Sequence, residues 1–168
     1  VQADISDKAQ GQRLIDETIK KFGRLDILVN IAGWTTLVPH ADLEALTDEI
    51  FDKTFKVNVY GTWWLTKAAI PHLHKSDDGN VVNITSIAGV RPLGSSMAYA
   101  MTKAALNHMT LLLAKSHGPI RFNAVAPGLV QTPWTQDWGA MHDFVAQAAP
   151  LKRSAYASDC SEAVLGIV

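Results

Sequence analysis

A tyrosine and a lysine, Tyr99 and Lys103, stand four residues apart in the otherwise small and apolar run SSMAYAMTKAAL. On a helix that spacing puts both on one face, a turn apart. A free phenol, with a pKa of about 10, is a poor proton shuttle near neutral pH. An ammonium one turn away favours the phenolate and brings that pKa down. A lone pair of this kind is as readily a surface contact. Ser86, thirteen positions before the tyrosine, adds a hydroxyl that could hold an oxygen on which charge develops. Whether these three act together depends on the elements that carry them.

The run 96–115 reads as a helix that stops at Gly118-Pro119, so Tyr99 falls in its first turns. Ser86 follows VVNIT, a short apolar run expected to be a buried strand over Val81–Thr85. Two more such runs flank it: LDILVN at Leu25–Asn30 and IRFNAVA at Ile120–Ala126. Between them lie helical patterns. Ser6 is the expected cap of a helix to about Phe22, with Leu14, Ile15, Ile19 and Phe22 as its stripe and Gly23 as its stop. Thr47 opens a longer helical region that continues through NVYGTWWLTKAAIPHL, with a kink expected near Gly61. After Pro127-Gly128 a polar and aromatic loop is expected, then a last helix from about Ser158.

Strands alternating with helices argue for a parallel α/β sheet, because parallel neighbours need crossover connections. In such a sheet, ligands bind beyond the carboxyl ends of the strands. Just past the three predicted strands come Asn30, Ile31, Ala32 and Gly33; Ser86 to Gly89; and Pro127, Gly128, Leu129 and Val130. Small residues at all three places leave room for a flat or extended ligand. Ser86 leaves its strand on the edge where the Tyr99 helix begins.

The chain of 168 residues suits one globular domain, 1–168, and its 48% hydrophobic content is enough for a core. A net charge of −1 with mixed signs gives no basic field for nucleic acid or a membrane surface. No apolar run approaches a membrane span. Cys160 is the single cysteine, so no disulfide forms within the chain; the reading is a cytoplasmic protein with Cys160 as a small buried residue. The six histidines show no ligand spacing with acids or Cys160, so no metal is expected. Of the adjacent Trp63 and Trp64, one is expected in the core and the other at a subunit contact. Trp34, Trp134 and Trp138 flank the expected substrate side, where ordinary packing and substrate contact are equally open.

Ser86, Tyr99 and Lys103, as S-x12-Y-x3-K, resemble the catalytic constellation of the short-chain dehydrogenases/reductases. NIAG at Asn30–Gly33, KVNVYG at Lys56–Gly61, NITS at Asn83–Ser86 and NAVAPGLVQT at Asn123–Thr132 resemble that family's blocks in order, over nearly the whole chain. The resemblance implies a Rossmann-like, doubly wound parallel sheet in three α/β/α layers. It implies NAD or NADP as cofactor, a small-molecule alcohol or ketone as substrate, and a homodimer or homotetramer. It makes Tyr99 the acid/base, Lys103 its tuner and a partner of the nicotinamide ribose, Ser86 the holder of the substrate oxygen, and Asn58 the support of a proton relay through water. For the cofactor it further implies Asp4 at the adenine, Asn30, Ala32 and Gly33 along the adenosine ribose, Pro127 and Gly128 against the nicotinamide, and Val130 and Thr132 at its carboxamide.

Two departures stand out. The family turn usually reads N-N-A-G, and Ile31 occupies its second position. The family's glycine-rich phosphate turn, G-x-x-x-G-x-G, lies before the region where Val1 begins, and the family's last sheet strand lies after Val168. The expectation is therefore a fold incomplete at both ends, with the residue that chooses NAD or NADP outside the chain, and an impaired activity for these residues alone. The rival expectations are a binding or scaffolding role on the same fold, and a dehydratase or epimerase using the same tyrosine.

Overall fold

A computed structural model describes residues 1–168. Helix α1 spans Lys8–Phe22 and strand β1 Ile27–Asn30. Helix α2, Asp48–Phe55, runs through a π-helical segment, Lys56–Gly61, into α3, Thr62–Leu73. Then come β2, Asn80–Ile84, α4, Met97–Ser116, and β3, Arg121–Val125. The rest holds β4, Val130–Gln131, α5, Gly139–Ala148, β5, Ala155–Tyr156, and α6, Ala157–Leu165.

The three main strands pair in parallel in the order β1-β2-β3, with Leu28 opposite Val81 and Val81 opposite Phe122. Residues two apart on a strand share a face. Leu28, Val81 and Phe122 face the helices and form one core with Ile15 of α1, Leu65 of α3 and Leu113 of α4. Asn80 points to the other face, where its amide donates to the Ile167 carbonyl (3.1 Å) just beyond α6. Helical chain therefore lies on both faces, and the fold is the Rossmann-like α/β arrangement the sequence predicts.

Several local expectations need correction. Asp7, not Ser6, caps α1: its carboxylate accepts the Ala9 and Gln10 amides, while Gly23 ends the helix at φ 75°. A carboxylate beside the positive end of the helix dipole is the stronger cap. The kink expected near Gly61 is a π segment centred on Asn58, and an extra residue per turn is how a helix re-aims a side chain without breaking. The supposed loop after Pro127-Gly128 contains α5 and a two-strand parallel ladder, β4 with β5. Met141, Phe144, Val145 and Ala148 give α5 an apolar stripe, but no side chain caps its start at Trp138 and none of its residues is fully buried, so nothing in the sequence marks where it begins. Neither Trp63, exposed, nor Trp64, half-buried against Tyr60, enters the core. Cys160 is only partly buried, on the short helix α6. No helix is long and apolar enough to cross a membrane.

Candidate active site

Helix α4 begins where Ser96 caps it, its hydroxyl accepting the Tyr99 amide at 3.2 Å. Tyr99 is thus the third residue of the helix and Lys103 the seventh, one turn deeper. Lys103 is 5% exposed, and its ammonium donates to the Ile84 carbonyl, the last of β2, at 2.8 Å. That bond ties the helix to the strand end from which Ser86 emerges. The Ser86 hydroxyl caps a 3₁₀ turn, Ile87–Gly89, by accepting the Ala88 amide at 3.1 Å.

Gly89 brings this turn onto α4. A β-carbon there would stand 2.6 Å from the Lys103 carbonyl carbon and 2.8 Å from the Ala104 nitrogen. Only glycine permits backbone contact this close. Ser86, Tyr99 and Lys103 are therefore brought together, as expected from the sequence.

Their electrostatics differ from the simple expectation. Burial pushes the Tyr99 phenol above its ordinary pKa, and the nearby Ser86 hydroxyl pulls the other way without prevailing. Burial lowers the Lys103 ammonium to about 8. The Lys103 Nζ lies 5.5 Å from the centre of the Tyr99 ring. Each group is pressed towards its neutral form, so lowering of the phenol by its neighbour's charge is not what this arrangement displays. Desolvation outweighs the charge of an ammonium already bonded to a carbonyl.

Asn58 is 1% exposed and fully engaged. Its Oδ1 accepts the Trp34 amide at 2.7 Å, and its Nδ2 donates to the Trp34 carbonyl (2.9 Å) and to Thr102 Oγ1 (3.1 Å). Thr102 in turn donates to the Tyr99 carbonyl at 2.7 Å. Asn58 thereby fixes the chain after β1 relative to the helix carrying Tyr99. Thr102 had no signal of its own in the sequence, because a threonine within a helix usually bonds only its own backbone.

Asn30 turns its amide inward, donating to Thr66 Oγ1 (3.1 Å) and Asn83 Oδ1 (2.8 Å). Asn83 passes the chain on to Thr110 of α4 at 2.9 Å. This buried relay ties β1 and β2 to α3 and α4 through the Asn30 amide nitrogen. Asp4 lies exposed at the start of the chain, where its carboxylate accepts the Ser6 amide at 2.9 Å. The Ser6 hydroxyl and amide beside it hold that carboxyl below its ordinary pKa.

Glycines leave the backbone bare at two strand ends, where a side chain would fill the ground between Asn58, Lys103 and Ile87. A β-carbon at Gly33 would stand 3.4 Å from Asn58 Oδ1 and 3.8 Å from Lys103 Nζ. One at Gly128 would meet Ile87 at 3.6 Å. Two of the three Lys103 donors are not used by the Ile84 carbonyl. Beyond Gly128, buried Thr135 fixes the turn by donating to the Val130 carbonyl (2.6 Å) and accepting the Thr132 amide (3.3 Å). The residues present fit the nicotinamide half of the cofactor. No group of three or more His, Cys, Asp or Glu is placed to hold a metal ion.

A parallel α/β sheet with this site at its carboxyl edge defines a class, and comparison with known proteins agrees. The family described as Enoyl-(Acyl carrier protein) reductase matches residues 1–168, and the chain belongs to the short-chain dehydrogenases/reductases. A Streptomyces violaceoruber protein described as ketoacyl reductase 2 of the granaticin polyketide synthase is 49% identical, over 100% of this chain and 69% of its own. The 3-ketoacyl-(acyl-carrier-protein) reductase of Brucella melitensis, solved with NADH, superposes with a TM-score of 0.90 at 31% identity, over 98% of this chain and 68% of its own. The structure of ElxO with NADP bound superposes at 0.88 with 32% identity, over 98% and 68%. The chain thus spans about two thirds of the length of these relatives.

Proposed function

We propose that the whole protein is an NAD(P)-dependent oxidoreductase that interconverts a ketone and a secondary alcohol at Tyr99. The observation that carries this reading is the meeting of buried Ser86 and Lys103 with half-buried Tyr99, beside the bare backbone of Gly33. The description of the 49% identical relative as a ketoacyl reductase favours the ketone-reducing direction.

When bound, the dinucleotide supplies the hydride. Lys103 would hold the nicotinamide ribose, Pro127 and Gly128 would approach the nicotinamide, and Val130 and Thr132 would bond its carboxamide. Asp4 would meet the adenine, with Asn30, Ala32 and Gly33 along the adenosine ribose. The Ser86 hydroxyl donates to the substrate oxygen and holds it at the phenol. Tyr99 Oη gives its proton to that oxygen as the carbonyl becomes an alcohol. The raised pKa of the phenol keeps the proton in place at neutral pH, which suits an acid acting in reduction. Asn58 supports the return of a proton through water and keeps the Trp34 segment in register with α4.

The test is Tyr99→Phe, which keeps the ring and removes only the ionisable oxygen. In the whole protein kcat should fall by about 10²–10⁴-fold, with cofactor affinity unchanged by calorimetry. A folded, cofactor-binding variant that turns over within a few-fold of wild type would end the assignment.

A further inference from the structure

His142 is the one side chain of α5 that makes hydrogen bonds, and it holds two distant stretches of the chain at once. Its Nε2 lies 3.0 Å from the Thr135 carbonyl, and its Nδ1 lies 2.8 Å from Ser154 Oγ. A carbonyl only accepts, so Nε2 carries the proton. In the neutral ring Nδ1 is then the acceptor and the Ser154 hydroxyl the donor. Both partners are buried: Thr135 is 6% exposed and Ser154 1%.

Each partner sits at one strand of the short ladder. Thr135 ends the turn after β4, where its hydroxyl donates to the Val130 carbonyl at 2.6 Å and accepts the Thr132 amide at 3.3 Å. Ser154 immediately precedes β5, which sets Ala155 opposite Val130 and Tyr156 opposite Gln131. The Ala155 amide donates to the Leu129 carbonyl at 2.9 Å. A ladder this short, beside a helix with no fully buried residue, has little apolar packing to hold it. The imidazole therefore supplies two of the bonds that close residues 129–156 into one unit. The Thr135 carbonyl has room for two donors and uses both: the Trp138 amide, at 3.0 Å, and His142 Nε2. The amide fixes the turn within itself, and the imidazole fixes it against α5.

Resting on the oxidoreductase reading above, we propose that His142 is a positioning residue for the nicotinamide. Through Thr135 it aims Val130 and Thr132, which that reading puts at the carboxamide, and through Ser154 it keeps β5 beside β4. The Nε2–H is the group that matters most, because it alone reaches the turn. Without it the Thr135 carbonyl keeps only the Trp138 amide. The cofactor must then order the segment that bears Val130 and Thr132, and that cost is taken from nicotinamide affinity.

The test is calorimetry on the whole protein with two ligands. One is NADH or NADPH, whichever wild type binds more tightly; the other is the matching ADP-ribose or 2′-phospho-ADP-ribose, the same molecule without its nicotinamide. His142→Phe keeps a flat ring and removes both bonds. It should weaken the dinucleotide by about ten-fold, the effect of one hydrogen bond, and leave the truncated ligand within about two-fold, which also shows that the variant is folded. The amide nitrogen of glutamine reaches about as far as Nε2, and that of asparagine only as far as Nδ1. His142→Gln should therefore recover most of the loss, and His142→Asn should behave like His142→Phe. Equal weakening of both ligands, or a His142→Phe protein that binds the dinucleotide like wild type, overturns the proposal and spares the oxidoreductase reading. Rescue by asparagine and not by glutamine overturns it as well, since the Ser154 bond would then be the one that counts. A wild type that reduces no ketone, with the loss still confined to the nicotinamide-bearing ligand, refutes that reading and upholds the role of His142.

Discussion

Replacing Lys103 by methionine should reveal how much stability the site gives up to hold a buried cation. Folded, the ammonium has a pKa of about 8 against an ordinary 10.5. Burial is the cause, and the side chain is 5% exposed, so solvent screens little of the effect. The unfolded chain keeps its proton up to about pH 10.5, and the folded chain releases it near pH 8. Between those values the unfolded state binds more protons, so wild-type stability gains with rising pH from this residue. At about 1.36 kcal/mol per pKa unit, the buried charge costs about 3 kcal/mol at pH 7, and about 2.5 kcal/mol of that is recovered by pH 10. Methionine has a similar shape and no charge. It leaves the Ile84 carbonyl without its partner, a loss of about 1–3 kcal/mol that does not depend on pH. Urea unfolding of the cofactor-free wild type and Lys103→Met at pH 7 and pH 10 separates the two contributions. The variant's stability relative to wild type should be greater at pH 7 than at pH 10 by about 2.5 kcal/mol. A difference that stays constant between these pH values would refute the argument, because it would mean that Lys103 titrates alike in both states. The same substitution should lower turnover in the whole protein, which is the exchange of stability for function expected of a buried site.

Gly89→Ala should lower stability by about 1–3 kcal/mol, as overpacking does, because its methyl would meet the Lys103 carbonyl carbon at 2.6 Å. It should also lower kcat by moving Ser86 from the phenol, so urea unfolding and steady-state kinetics should change together; a variant unchanged in both would show that the turn is not held by this contact. The whole protein should be a homodimer or homotetramer, since Tyr60 of the π segment, Trp63 of α3 and Met101, Leu111 and Leu112 of α4 are apolar yet exposed. Light scattering that gives a monomer at micromolar concentration would contradict this.

The sheet and its flanking helices were legible because their signals are local. Runs such as VVNIT carry strand character in themselves, Thr47 and Ser96 cap the helices expected of them, and Gly23 stops its helix by a backbone conformation that other residues resist. The site was legible for a different reason: Tyr99 and Lys103 share one helix face by spacing alone, and Ser86 leaves a strand at the edge where that helix starts. Helix α5 lacks a capping side chain at its start, so its stripe of Met141, Phe144 and Val145 has no boundary signal, and Ser6 and Asp7 are both capable acceptors at the start of α1. Residue types and their spacing set which groups are available for chemistry and on which elements they ride. Packing in the fold shifts their pKa values, since burial raises the Tyr99 phenol and lowers the Lys103 ammonium. Tertiary structure also decided that Asn30 serves the sheet rather than the surface, that Asn58 clasps the Trp34 backbone, and that His142 joins the turn after β4 to the start of β5. Desolvation and hydrogen-bond satisfaction are properties of what surrounds a residue, and the groups that surround these residues come from positions tens of residues away in the chain.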